Sequence, residues 1–246
     1  MNSDRYRSGE GLNRSTRTAR LAGLLWFMSA ATGGWGLFYI RTYVIVPGDA
    51  TATAGNLTAS EFLFRTALVS NLFAQVFLFF LGISLFYIFK EVSRRLATVL
   101  LASAMTAVGI AVVNTLNHFG ALLALGQADF LKVFSNEQLN ALAFFFLRLA
   151  NSYGQGLLEI FWAPFYFSLG LLILRSRFLP KIFGILLMIM GAAFALNVLQ
   201  KFLLPAFYPA TFTQLAMLGG ALGGIPTIFW LLIRGVRIQP LEEQAS

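Results

Sequence analysis

The chain has 246 residues, of which 58% are hydrophobic and 11% are charged. An average soluble domain carries about 25% charged residues, so this one has too few to coat a soluble surface, and an ordinary soluble enzyme, a disordered chain and a nucleic-acid binder are excluded. The net charge is +8, but the Lys and Arg residues fall between long apolar runs and form no basic patch. They therefore read as topogenic signals. Cys is absent and His118 is the one histidine, which leaves no disulfide, thiolate ligand or His-rich metal site to propose; no cofactor is expected.

A transmembrane helix needs about 20 mostly apolar residues. Six stretches reach that length: residues 21–40, 66–89, 96–128, 148–175, 182–200 and a run within 202–233 that should start after Pro209. The residues ahead of the first run carry Arg5, Arg7, Arg14, Arg17 and Arg20. They resemble the charged region of a signal peptide, but the apolar run after them lacks a small-x-small cleavage site and reads as an uncleaved anchor. Most of the remaining basic residues cluster at Lys90, Arg94, Arg95, Arg175, Arg177, Lys181, Arg234 and Arg237. With the N-terminus in the cytoplasm and an even number of spans, all of these lie inside. The expected organisation is a basic cytoplasmic tail (residues 1–20), an all-α six-helix transmembrane domain (21–236) and a cytoplasmic C-terminal tail (237–246), with both termini inside.

The expected outer loops carry structure. Pro47-Gly48-Asp49 is a turn in which Asp49 caps a short helix through Ala54. Thr58-Ala-Ser-Glu61 predicts a capping box at the start of the second spanning helix, and Ser135-Asn-Glu-Gln138 predicts one before the fourth. Both helices should begin as short amphipathic segments in the outer interface.

Polar side chains inside the spans are costly and are functional candidates by default. At the helical rise, Gln75, Asn114, Glu159 and Asn197 lie about 22–28 Å from the nearest inside basic residue. Asn71, His118, Gln155 and Lys201 lie about 28–34 Å away. These depths predict one polar layer in the outer part of the bundle. Asn114, Asn117 and His118 share a helix face, as do Asn71 with Gln75 and Asn197 with Lys201. Ser152, Gln155, Glu159, Trp162 and Tyr166 form a stripe on the fourth span. An outward-facing polar cavity is the economical arrangement. The competing reading is interhelical glue, worth about 0.6 kcal/mol per bond on average. Glu159 stands apart, because a carboxyl at that depth needs a partner or a proton. Arg148, Lys201, Arg41 and His118 are the candidate partners. Gly219, Gly220, Gly223 and Gly224 make overlapping small-xxx-small pairs, a packing face for another helix or a second copy of the chain. Pro164 and Pro226 should kink the fourth and sixth spans.

Several blocks occur in order: Arg17-Thr18-Ala19-Arg20-Leu21-Ala22-Gly23, Val46-Pro47-Gly48-Asp49, Ala59-Ser60-Glu61-x-Leu63-Phe64-Arg65, Tyr153-Gly154 and Arg175-Ser176-x-Phe178-Leu179-Pro180-Lys181-x-x-Gly184. Together they resemble the bacterial domain-of-unknown-function 4386 family over nearly the whole chain. The resemblance implies a multi-span protein of the bacterial cytoplasmic membrane and brings no assigned catalytic residue. Its members often carry His on the fourth span, where this chain has Phe165, which weakens a mechanism built on intramembrane histidines.

Three functions fit these features. The first is a protein that binds a small amphipathic molecule or lipid in the outward cavity, with Glu159 as polar anchor. The second is a structural or regulatory scaffold without chemistry. The third is an outer-leaflet enzyme using Glu159 and His118 as an acid/base pair. The nearly pure apolar inner halves of the spans argue against an inward transport path.

Overall fold

A computed structural model describes residues 3–126, 128–176, 178–204 and 211–236. Arg177, Pro209, Arg237 and the expected C-terminal tail lie outside the described residues, as do the side chains of residues 1–15. Among the described residues the chain is all helical, in the order α1 (Ser3–Tyr39), α2 (Ala50–Ala59), α3 (Glu61–Phe89), α4 (Arg94–Ala124), α5 (Asn136–Arg148), α6 (Gln155–Ser176), α7 (Lys181–Leu203), α8 (Thr211–Gly219) and α9 (Ile225–Ile233). Three π turns follow α1, α5 and α8, at Ile40–Val44, Leu149–Gly154 and Gly220–Gly224.

Six helical stretches are long and apolar enough to cross a membrane. No more than 44% of any of their apolar windows is buried within the protein. The rest of each window is half-buried or exposed, and its exposed apolar side chains include Phe80, Val113, Leu116 and Phe229. Only lipid can cover that surface at acceptable cost, so the chain is a polytopic membrane protein.

Local chemistry sets several boundaries. The Val46–Asp49 turn closes through Asp49 N–H donating to Val46 O at 3.1 Å. Pro47 supplies the fixed φ, and Gly48 takes the left-handed φ of 81° that the next position demands. The Asp49 carboxylate then accepts from Ala52 N–H at 2.8 Å, capping α2 as expected; α2 runs on to Ala59. The capping box at Ser135 and Gln138 forms with both of its reciprocal bonds. The one expected at Thr58 does not. Thr58 lies inside α2, its hydroxyl donates to Ala54 O at 2.9 Å, and Glu61 instead pairs with Arg65 at 2.7 Å. Pro226 stands in the first turn of α9, directly after a π turn.

The chain divides into two compact units. The first comprises residues 1–27, 78–106 and 159–246. Its core joins Ala19, Ala22 and Trp26 of α1 to Leu81 and Leu85 of α3, Leu100 of α4, Phe165, Leu169 and Leu172 of α6, Leu187 of α7 and Ile228 of α9. Backbones approach closely here. A β-carbon on Gly184 would lie 2.8 Å from Gly170 O, one on Gly191 2.7 Å from Ala163 O, and one on Gly23 2.7 Å from Leu232 N. Gly191 thus packs beside Pro164, within α6. α1 also caps the end of α9: Arg20 donates to Ile233 O at 3.3 Å and Thr16 to Val236 O at 3.1 Å. Those side chains meet carbonyls that a helix end leaves without intrahelical partners.

The glycine face of α8 and its π turn packs against α7 of the same chain. A β-carbon on Gly219 would lie 2.7 Å from Met190 Cβ, and one on Gly223 2.8 Å from Leu186 Cβ. Gly220 stands 3.5 Å from Met190 Cε by the same measure, and Gly224 has open space around it.

The second unit comprises residues 28–77 and 107–158. Its core joins Ile40, Val44 and Leu57 to Phe64 and Leu68 of α3, Ala121 of α4, and Ala143 and Leu147 of α5. Gly36 of α1 fits against Ala67 O of α3, where a β-carbon would stand 2.6 Å away. One turn on, Ser70 donates to Thr32 O at 2.8 Å.

Candidate functional site

Each unit holds its own polar cluster. In the second unit, α4 presents Asn114, Asn117 and His118 on one face, and the π turn at Leu149–Gly154 meets it. Asn117 Nδ2 donates to Asn114 Oδ1 at 3.0 Å, and Asn114 Nδ2 donates to Ala150 O at 3.1 Å. A π turn displaces its carbonyls from α-helical partners, so the Asn114 amide meets one of them. Gly154 lies directly against the Asn114 side chain, in space that a β-carbon would occupy.

His118 sits beside this pair, buried and tilted against Phe64 at 6.2 Å. Asn151 Nδ2 donates to Leu147 O at 3.0 Å and points at His118 Nε2 at 3.4 Å. His118 Nδ1 and Asn151 Oδ1 are both buried without a hydrogen-bond partner among the described residues. Asn71 and Gln75 meet each other within α3 at 3.4 Å, while Gln75 Oε1 is buried without a described partner. Gln155 is half-buried at the first position of α6.

In the first unit the cluster centres on Glu159 of α6. Asn197 Nδ2, on α7, donates to its Oε2 at 2.6 Å. Thr213, on α8, donates through its hydroxyl to Asn197 Oδ1 at 3.2 Å. Three helices thereby converge through one amide, which is 2% exposed. One partner of the carboxylate is thus a neutral amide. Lys201, one turn past Asn197, is half-buried and forms no ion pair among the described residues.

Aromatic rings adjoin the carboxylate. Trp162 lies three residues after Glu159 and Tyr166 seven after it, on the same face of α6. The Tyr166 ring stands 5.9 Å from Trp162, 5.9 Å from Phe194 of α7 and 6.5 Å from Trp26 of α1.

The structure thus brings together Asn114, Asn117 and His118 in one cluster, and Glu159 with Asn197 in another. Two further partners, Asn151 and Thr213, carry no signal in the sequence. A 3.6-residue count through the fourth span selects Ser152, and the π turn shifts that register to Asn151. Thr213 lies near the start of the last span, where a hydroxyl is unremarkable.

This fold defines a polytopic helical membrane protein with intramembrane polar clusters. The chain belongs to the family described as domain of unknown function (DUF4386), whose profile matches residues 21–235. No curated protein and no solved structure gives a significant match to it.

Proposed function

We propose that the protein is a membrane-embedded binding protein for a small amphipathic molecule or lipid, with Glu159 as its polar anchor. One observation carries this reading: the hydrogen-bonded line from Thr213 through Asn197 to Glu159. An acid, an amide and a hydroxyl from three helices meet inside an apolar unit. An acid costs more to hold in a span than the amides that suffice for helix glue, so its retention there fits recognition better than packing. Lys201, one turn past Asn197 on α7, is the further contact proposed for the head group. In the second unit, Asn114, Asn117, His118, Asn71 and Gln75 are proposed as a polar surface for the same class of ligand.

Replacing Glu159 with Gln keeps the shape and removes the charge. Retention of a co-purified or added amphiphile is expected to fall about tenfold, as for loss of a charge-assisted hydrogen bond. Retention equal to wild type removes the anchor role.

The proposed setting is the bacterial cytoplasmic membrane with both termini inside, supported by the placement of Arg94, Arg95, Arg175 and Lys181 at two turns of the same expected side. The chain lacks Cys, so a single Phe178→Cys substitution reports without background. A membrane-impermeant maleimide added to intact cells is expected to leave it unlabelled; labelling from outside reverses the orientation.

A further inference from the structure

We infer that the adjoining ends of α1 and α9 form a binding site for the head group of an anionic phospholipid. The site is independent of the Glu159 cluster. Gly235 takes a left-handed φ of 66° just past α9, and a β-carbon there would lie 2.7 Å from Thr16 Cγ2 of α1. The end of α9 is thus seated on α1, and two guanidinium groups meet at the seam. Arg234 lies over the Trp230 ring, 4.6 Å from its centroid. That contact uses the face of the guanidinium and leaves the N–H donors along its edge. Arg20 donates through Nη2 to Ile233 O at 3.3 Å, the carbonyl of the peptide that leads into Arg234, and keeps its other donors. Arg17, one turn earlier on the same side of α1, adds a third charge. All three are exposed, and no carboxylate pairs with any of them among the described residues. Arg65 and Lys132, by contrast, each hold an acid, at 2.7 and 2.6 Å.

Two plainer roles leave part of this arrangement unexplained. Capping α9 needs one donor at Ile233 O, and a topogenic charge needs no fixed geometry. Neither requires a second guanidinium held flat against an indole beside the first, where the two repel until an anion lies between them. Planar guanidinium edges match phosphate oxygens two at a time. The surface next to them selects a lipid as the source of that phosphate. One to two turns into the spans, Leu24 and Phe27 of α1 and Phe229 of α9 are exposed. The Phe27 and Phe229 rings stand 6.3 Å apart, and the helices touch at Gly23, where a β-carbon would lie 2.7 Å from Leu232 N. The cationic seat therefore continues into a strip of apolar surface. A free phosphate would use the seat alone, whereas a phospholipid uses both, its phosphate at Arg20 and Arg234 and an acyl chain along the strip.

The test uses the full chain in dodecyl maltoside, titrated with phosphatidylglycerol, phosphatidylcholine and glycerol phosphate and read by native mass spectrometry. Phosphatidylglycerol is expected to bind roughly tenfold tighter than phosphatidylcholine, whose choline offsets the phosphate charge. Arg20→Gln combined with Arg234→Gln should remove most of that preference. Arg20→Lys with Arg234→Lys, which keeps the charge without the planar fork, should retain part of it. Arg65→Gln with Lys132→Gln removes the same formal charge elsewhere and should leave the preference unchanged. Wild-type elution on gel filtration verifies the fold of each variant. Equal affinity of the wild type for both lipids, an unchanged preference after Arg20→Gln and Arg234→Gln, or an equal loss after Arg65→Gln and Lys132→Gln overturns the site. Displacement of phosphatidylglycerol by an equal concentration of glycerol phosphate overturns the lipid assignment.

Discussion

Gly170→Ala is expected to destabilise the protein, whereas Gly109→Ala is expected to stabilise it. Both glycines lie inside spanning helices, where alanine is normally favoured by about 1 kcal/mol. Gly109 has open space around the position of a β-carbon, so it should gain that amount. Gly170 faces the backbone of the neighbouring helix: a β-carbon there would collide with Gly184 O and stand 2.5 Å from Met188 Cγ. A backbone carbonyl cannot rotate aside as a side chain can. α6 and α7 would have to separate, and the contacts at Gly184 and Gly191 would loosen with them. Overpacking of this kind costs about 1–3 kcal/mol, enough to outweigh the helix-propensity gain. Unfolding in mixed micelles followed by circular dichroism measures both variants. Shifts of the same sign would contradict the close packing of these helices.

Gly154→Ala and Asn114→Ala are expected to be strongly non-additive. Alone, Gly154→Ala forces the Asn114 amide out of its place and breaks its bond to Ala150 O. Alone, Asn114→Ala leaves that π-turn carbonyl without its side-chain donor and Asn117 without its acceptor. Each loss is of the order of 1–2 kcal/mol. Once Asn114 has been shortened, the β-carbon at Gly154 meets empty space, so the second substitution should cost little. A double-mutant cycle is expected to return a coupling of about 1–2 kcal/mol. Additive effects would mean that the amide does not brace the π turn. The readout is again the unfolding midpoint.

The spans were legible because lipid imposes a single crude demand, a long apolar run, and composition states it directly. Local caps were legible where one side chain serves its own helix, as at Asp49 and Ser135. Thr58 misled because its spacing from Glu61 matches a capping box while α2 continues past it to Ala59; a competing helix cannot be seen in four residues. The polar residues were visible as types but their partners were not. Asn197 bonds Glu159 from 38 positions away and Asn151 approaches His118 from 33, and helix periodicity says nothing about which faces meet. The π turns were hidden for a related reason. They change backbone register without changing hydropathy, so the count that selected Ser152 missed Asn151. Glycine was read where it was dense, at Gly219 to Gly224. The lone glycines Gly170, Gly184 and Gly191 make equally close helix contacts, and nothing in their neighbours announces it.

The most direct test of a ligand anchored at Glu159 is native mass spectrometry of the full chain released from a mild detergent, alongside its Glu159→Gln variant. A discrete bound mass on the wild-type protein, largely lost from the variant, is the expected result. A clean apo mass for the wild type, or an adduct equally abundant on both, would contradict it.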